Sequence, residues 1–484
     1  MHPQRFAWEG GRKGVAQFVG ACCVLFPLMT GCATVDQQAG FSEVRTAVAA
    51  RSDKRVVWNR GTALDAQVAE DVQTLLHGTL TPDAAIQVAL LNNRELQAMY
   101  AALGVAQADL VQAGLLRNPV FDGIIRFPLS GGSAELELSA ALGFLDLFYR
   151  PLRQRVAAAR FDETKLQVTA GVLDFAGTVQ TAFYRHQANM QRLELLQTIA
   201  HALTTSWEVA QRLQAAGNIT ELDLAQERAE AEAAKVHVRT AEAAIRQSRE
   251  HLNTLMGLWG LDTAWQSDGR LPDIPAQPLP IDGLETQALR QSLDLASARQ
   301  RLIVAGEQLG VTRATALVPE ISLGAGGKRR EGTWEVGPLV EFPIPILDQG
   351  QARRGRALAE LRRAQQEYYA LGVRIRATAR ALAERVQEAQ DRALYYRDIL
   401  LPLRERIVNE TQLHYNAMQR GVFELLRARE QHIQTAVAYI DALRDYWLAR
   451  ADLGLLLSGR VPSPEGSAGG RPSLSQPRGN NGEH

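Results

Sequence analysis

Cys32 is the one side chain in this sequence whose surroundings prescribe a covalent reaction. Of the three cysteines, Cys22 and Cys23 lie inside an apolar run from Val15 to Met29, and Cys32 follows that run in Leu28-Met29-Thr30-Gly31-Cys32. Arg5, Arg12 and Lys13 stand in front of the run, with only Glu9 against them. A charged front, an apolar stretch too short to span a bilayer comfortably and small residues at a cut point describe a secretory signal over residues 1–31. Cutting after Gly31 leaves Cys32 as the only thiol, at a new N-terminus, so a disulfide within the mature chain is impossible. No other reaction is spelled out. His77, His186, His201, His237, His251, His414, His432 and His484 lie scattered, without an HExxH motif or closely spaced ligand pairs. No glycine-rich phosphate loop follows a strand. The expectation is no catalytic residue, no metal and no cofactor beyond a lipid on Cys32. Lys+Arg and Asp+Glu both number 53, so no basic field invites nucleic acid.

The residues around Cys32 resemble the bacterial lipobox, in which a small residue precedes a cysteine that takes a diacylglycerol before cleavage. Met29 departs from that pattern, which usually has leucine three places before the cysteine. Ala33 is not the aspartate that the pattern uses for inner-membrane retention, so outer-membrane sorting is expected. Acyl chains bury CH₂ groups at about 0.8 kcal/mol each, which makes a diacyl or triacyl cysteine a firm tether.

The elements that must carry this anchor are written twice. Residues 90–119 lie over 290–319 without a gap: Asn92 meets Ser292, Ala98 meets Ala298 and Pro119 meets Pro319. Both halves then reach an aspartate after an apolar run, Gly143-Phe144-Leu145-Asp146 and Pro345-Ile346-Leu347-Asp348, and both enter a long helical stretch broken by glycine, at Gly217 and at Gly421. Each half reads as helix, strand pair, long helix, tight turn, helix, with a first repeat over 81–260, a linker over 261–282 and a second repeat over 283–459. Thr81-Pro82-Asp83 opens the first helix with a capping hydroxyl, a proline in the first turn and an acid. That helix is expected to run to about Leu116. The stretch from Leu147 to Ala215 is rich in strong helix formers and would be on the order of 100 Å long. Its counterpart, Gln351 to Arg420, should kink at Pro402. Small apolar positions such as Ala229, Ala233, Val236, Ala243 and Leu252 ask for close helix neighbours.

Two hairpins interrupt the helices, with strands over about 119–145 and 319–346. Leu136, Leu138, Ala140 and Leu142 alternate with Glu135, Glu137, Ser139 and Ala141, the period of a strand with one apolar and one polar face. A turn at Ser130-Gly131-Gly132 joins this strand to Val120–Leu129. In the second hairpin Trp334, Val336, Val340 and Phe342 share a face opposite Glu335 and Glu341, after a polar turn expected at Lys328–Gly332. No later segment is a run of about 20 apolar residues, so any membrane crossing must use strands. The four strands form either a small soluble sheet beside the helices or part of a membrane wall. Open edges are forbidden in lipid, so the second reading demands an oligomer that closes them. The lipid anchor and the two-faced strands favour it.

The ordered set of these motifs resembles the TolC-like outer-membrane efflux proteins, and more narrowly their lipoprotein branch attached to resistance-nodulation-division pumps. The resemblance covers roughly residues 80–459. It rests on the repeat, on Phe342-Pro343-Ile344-Pro345-Ile346-Leu347-Asp348-Gln349-Gly350 before the second long helix, and on Tyr415 to Gly421 leading into Leu425-Leu426. It implies a mainly α fold with a β-hairpin membrane region, in which a homotrimer closes one 12-stranded barrel above a periplasmic α-helical tunnel. It also implies a periplasmic membrane-fusion adaptor and an inner-membrane efflux pump as partners, with the chain as a passive exit duct for small molecules or metal ions.

The candidate site residues lie at the two turns. Gly217 and Asn218 in the first repeat, and Gly421 and Val422 in the second, are candidate adaptor-docking turns, the glycines permitting the left-handed conformation of a helix C-cap. Taken alone, a turn is equally well only a turn. By resemblance, Asp223, Arg427 and Glu430 are candidates for the tunnel aperture. Arg427 departs from the family, some members of which carry an aspartate there. Three arginines would oppose a cation-attracting constriction, or would pair with Asp223 or Glu430. Residues 32–80 read as a lipid-anchored linker running along the outside, and 460–484, rich in Gly, Ser, Pro and Asn, as a disordered tail. A lipid-anchored periplasmic adaptor, or a coiled-coil structural protein, is the competing reading.

Overall fold

The computed structural model describes residues 34–36, 38–127, 129, 133–275, 283–316, 320–330 and 332–462. The expectations for the signal over 1–31, Cys32, the Ser130–Gly132 turn, Pro319 and the tail beyond 462 lie outside the described residues.

The segment read as a linker folds into two helices, α1 (Phe41–Ser52) and α2 (Ala63–His77), whose Val44, Val48, Val68, Val72 and Leu76 are buried. They join a core built with Leu80, Leu90, Tyr100 and Phe183. β1 (Thr79–Leu80) follows, and then the first repeat. Thr81 Oγ1 accepts from Ala84 N at 3.2 Å, and Pro82 occupies the first turn, as its sequence predicts. The single helix expected from there to Leu116 is instead two, α3 (Pro82–Asn92) and α4 (Arg94–Ala113). Asn93 makes the break: its Oδ1 accepts from Glu95 N at 2.8 Å and Leu96 N at 3.1 Å, capping α4. Its Nδ2 donates to Leu255 O, while Asn92 Nδ2 donates to the carbonyls of Met256 and Gly257. The two amides therefore satisfy carbonyls that the returning helix leaves orphaned at its C-terminus.

The second repeat breaks likewise. α7 (Leu284–Gln291) and α8 (Leu293–Thr315) are parted by Ser292, whose Oγ accepts from Leu295 N at 3.0 Å. Leu293 N donates to Gly459 O, just past the end of the last helix. Asn93 and Ser292 thus do one job 199 residues apart, one fewer than the gap-free offset.

β2 (Val120–Arg126) and β3 (Glu135–Gly143) lead into α5 (Asp146–Ala215), a single helix of 70 residues and so about 105 Å long. α6 (Glu221–Met256) returns along it, burying Ala231, Ala234, Ala241 and Leu252. Of the positions expected to pack, Leu252 is buried and Ala243 half-buried, whereas Ala229, Ala233 and Val236 face outward from the single chain. A short 3₁₀ turn (Gly260–Ala264) and β4 (Gln266–Ser267) follow, β4 pairing in parallel with β1. β5 (Ser322–Arg330) and β6 (Thr333–Glu341) form the second hairpin. α9 (Gln351–Tyr395), a π-helical segment (Tyr396–Leu400), α10 (Leu401–Asn416) and α11 (Val422–Leu457) complete the chain. The irregularity expected at Pro402 takes the form of that π segment, which ends two residues before the proline whose ring and missing N–H disturb the preceding turn.

Candidate functional site

The four hairpin strands form one antiparallel sheet in the order β2-β3-β5-β6. Its register sorts every side chain. Phe121 pairs with Ala140, Ala140 with Ala325, and Ala325 with Pro338, so these four share a face. The neighbouring rows put Leu138, Val336, Leu142, Leu323 and Val340 on that same apolar face. The opposite face carries Glu135, Glu137, Lys328 and Arg330. There Arg126 pairs with Glu137 at 2.8 Å, and Glu135 holds both Lys328 at 3.1 Å and Arg330 at 2.9 Å. Those ion pairs explain a correction to the sequence expectation: Lys328 to Arg330 are strand, and of the expected turn only Gly332 is a turn residue among those described. Gly324 leaves no room for a side chain between β5 and β3. A Cβ there would lie 2.1 Å from Ala140 O and 2.9 Å from Ala141 Cα. β2 and β6 are left with open edges. Among the described residues no helix is long and apolar enough to cross a membrane.

The aspartates at the two strand-to-helix junctions clamp the helix starts. Asp146, almost fully buried, takes two hydrogen bonds from Arg153, at 2.5 and 3.0 Å, and one from Arg117 N at 3.2 Å. The Arg153 hydrogen bond, against the opposing cost of burial, holds its carboxyl below the usual carboxylate range. Asp348 is exposed, accepts from Gly350 N at 2.8 Å and pairs with Arg353 at 3.5 Å. Gly350 sits at φ +73°, and a Cβ there would lie 2.8 Å from Ala316 Cβ, so neither its conformation nor its surroundings admit a side chain.

At the far end of the helices stand the two turns. Gly217 takes φ +76°, its N–H donating to Gln214 O while Asn218 N donates to Leu213 O at 2.8 Å. This is the expected left-handed helix end. The second turn differs from the expectation. Gly421 is extended, at φ −79°, and serves as the N-cap of α11, with Val422 the first residue of that helix and half-buried. The left-handed position is Met418, at φ +59°, whose N–H donates to Tyr415 O while Gln419 N donates to His414 O. Met418 stands 201 residues after Gly217, and the start of α11 stands 201 after that of α6, so the repeat register points to it directly.

The three aperture candidates separate. Asp223 is engaged in its own helix cap: Thr220 N donates to it at 2.9 Å and Thr220 Oγ1 at 2.7 Å, while Asp223 N donates to Thr220 Oγ1 at 3.1 Å. Those bonds from Thr220 lower its carboxyl from the usual range. The Thr-x-x-Asp spacing is the signal that foretells this cap. Glu430 and Arg427 do come together, joined by two residues that sequence reasoning missed, Glu227 and Glu230. Burial first, then the charges of Glu230 and Glu227, push the Glu430 carboxyl up, against the pull of Arg427. Glu430 Oε1 also accepts from Gln434 at 2.7 Å, and Glu227 accepts from Ser206. Ile433 of α11, packed with Ile199, Leu203 and Ala231, holds these acids side by side.

A four-stranded sheet with one apolar face, standing on α-helical hairpins about 100 Å long, defines the class: this is the fold of the TolC-like outer-membrane channels. The Campylobacter jejuni CmeC outer membrane channel superposes with a TM-score of 0.62 at 16% identity, over 87% of this chain and 93% of that one. The chain is 24% identical over 387 residues to the cobalt-zinc-cadmium resistance protein CzcC of Cupriavidus metallidurans, covering 78% of this chain and 90% of that protein. It is 25% identical over 444 residues to the pyoverdine export outer membrane protein OpmQ of Pseudomonas putida, covering 81% and 92%. No protein-family model matches it. In fold and in sequence the chain is similar to the TolC-like outer-membrane efflux proteins, and it is set in the outer membrane and extends into the periplasm.

Proposed function

We propose that three copies of this chain close one 12-stranded barrel and one helical tunnel, forming a passive exit duct without catalytic chemistry of its own. The observation that carries this reading is the sheet. Its apolar face suits lipid, its charged face suits a water-filled lumen, and its β2 and β6 edges leave backbone groups that hydrocarbon does not tolerate unpaired. Pairing β6 of each copy with β2 of the next removes every edge. The competing readings, a lipid-anchored adaptor or a coiled-coil structural protein, have no use for a two-faced sheet with open ends.

The helical hairpin ends, at Gly217-Asn218 and Gly421-Val422, are the docking turns for a periplasmic membrane-fusion adaptor, which couples the duct to an inner-membrane pump of the resistance-nodulation-division type. Asp223, Arg427 and Glu430 stand close to those turns, where three chains converge on the aperture. The relatives' names speak of metal-ion resistance and pyoverdine export, and the duct carries small molecules or metal ions chosen by the pump.

A lipid on Cys32 fits the geometry. Gly40 rests against Phe161 and Lys165 of α5, and Phe161 lies fifteen residues, or about 23 Å, below the start of that helix. The eight residues from Cys32 to Gly40 span up to about 28 Å when extended, enough to return the acyl chains to the level where the strands begin. Phe144, Phe148, Ile344 and Leu347 are exposed at that level, where a bilayer would cover them. Detergent-solubilised protein is expected to run as a trimer and to conduct ions across planar bilayers. A stable, water-soluble monomer would remove the duct model.

A further inference from the structure

The apolar face of the sheet carries one charge. Among its described strand residues, every side chain is apolar or absent except Arg329, which pairs in register with Leu136 on one side and Trp334 on the other. The strands enter the sheet from α4 and α8 and leave it into α5 and α9, so the hairpin turns mark the end away from the periplasm. Arg329 lies at that outer end, one residue from the last of β5. Its neighbours Lys328 and Arg330 point to the opposite face, where both pair with Glu135. Arg329 is exposed and, among the described residues, has no hydrogen bond, ion pair or ring partner.

Trp334 does not cover it. The indole lies over Gly327, where a Cβ would be 3.3 Å from Trp334 Cε3, and it touches the position that Val336 also flanks. The indole therefore leans along the sheet away from the hairpin end at which Arg329 stands, the order in which an interfacial belt and a headgroup layer place an aromatic residue and a charge. A lone arginine on a lipid face is tolerated only near the interface, and is favoured there when an anion meets it.

We propose that Arg329 binds the phosphate of an anionic glycolipid in the outer leaflet, one such lipid for each chain of the barrel. The planar guanidinium matches a phosphate with two parallel hydrogen bonds, and among the described strand residues no carboxylate of this face competes for it. The inference rests on the sheet being a membrane wall, as proposed above.

The test is native mass spectrometry of the detergent-solubilised full-length trimer with diphosphorylated lipid A, with the same lipid A stripped of phosphate, and with inorganic phosphate as competitor. The wild type is expected to take up three diphosphorylated lipids, each about tenfold more tightly than Arg329→Ala does, and to bind the stripped lipid as weakly as that variant. Arg330→Ala, one residue away on the other face, should bind like the wild type. Equal uptake by wild type and Arg329→Ala, or complete displacement of the lipid by equimolar inorganic phosphate, overturns the proposal while leaving the duct intact. Failure of the wild type to insert into phospholipid nanodiscs overturns the membrane wall, and this proposal with it.

Discussion

Acid should loosen the middle of α5 through one histidine. His186 is buried, at 1% exposure. Its Nδ1 lies 2.8 Å from Ser248 Oγ, and that hydroxyl gives its own proton to Ile245 O at 3.0 Å. Ser248 must then accept, so Nδ1 carries the ring proton and Nε2 is bare, with no partner. Burial first, and then the nearby Arg249 guanidinium, lower the imidazole from 6.5 to about 4. Above pH 6.5 neither the folded nor the unfolded chain holds the extra proton, and stability is unaffected. Between 6.5 and 4 the unfolded chain takes it up and the folded one does not, so stability drops with pH until the folded histidine titrates as well. The full difference corresponds to about 3 kcal/mol, roughly a 300-fold change in the opening equilibrium. Hydrogen exchange of the α5 amides near residue 186, in the detergent-solubilised trimer at pH 7 and pH 4.5 and corrected for intrinsic rates, measures it. By pH 4.5 protection should fall about 100-fold in the wild type, and much less in His186→Gln, whose amide can still donate to Ser248. An equal loss of protection in both proteins would show that His186 is not the group responsible.

Four further substitutions probe the rest of the structure. Gly324→Ala places a methyl group against the Ala140 backbone and should part β3 from β5, abolishing the detergent-resistant trimer on gels; normal assembly would mean that the strands separate at little cost. Met418→Gly removes the penalty of a left-handed non-glycine residue and should stabilise the second turn by about 1 kcal/mol, read as slower exchange of its amides. Arg427→Ala should raise the cation selectivity of single channels, because it leaves the acids around Glu430 unopposed; unchanged selectivity would place Arg427 outside the lumen. Cys32→Ser in an exported form should reduce sorting or stability while transport by the assembled trimers persists, and complete loss of efflux at normal protein levels would refute that order.

Where the backbone's demand coincides with a residue's own preference, the sequence is legible. Thr81 and Pro82 announce a helix start, Gly217 a helix end, and the alternation around Leu138 a two-faced strand, because each local rule is satisfied by its own few residues. The errors arise where a partner distant in sequence decides. Asn93 breaks a helix that looks continuous because the carbonyls it satisfies belong to α6, more than 160 residues away. Lys328 and Arg330 look like turn residues until Glu135 claims both. Gly421 draws the eye as the turn glycine, yet the left-handed position falls on Met418, which advertises nothing by its type. Glu227 and Glu230 are unremarkable on a solvated helix, and only Ile433 packed against α5 and α6 places Glu430 beside them.

The two hairpins are not equal in what one chain provides for them. In the first, the lower part of α5 buries Ile199, Leu203, Ser206 and Ala210 within its own chain. The matching segment of the second, α10, buries nothing, and its Leu403, Ile407 and Leu413 stand exposed below the π segment. Burying a leucine-sized side chain contributes about 1.5–3 kcal/mol, so three left in water are a large omission for a helix of 16 residues. In the proposed trimer a neighbouring copy is the cover available to them. The lower second hairpin then owes its stability to contacts between chains, whereas the first owes much of its own to contacts within one. The side chains on the second hairpin, Arg427 and Glu430 among them, then answer to chain-to-chain packing more than those on the first, and the Met418 turn at its tip goes with them.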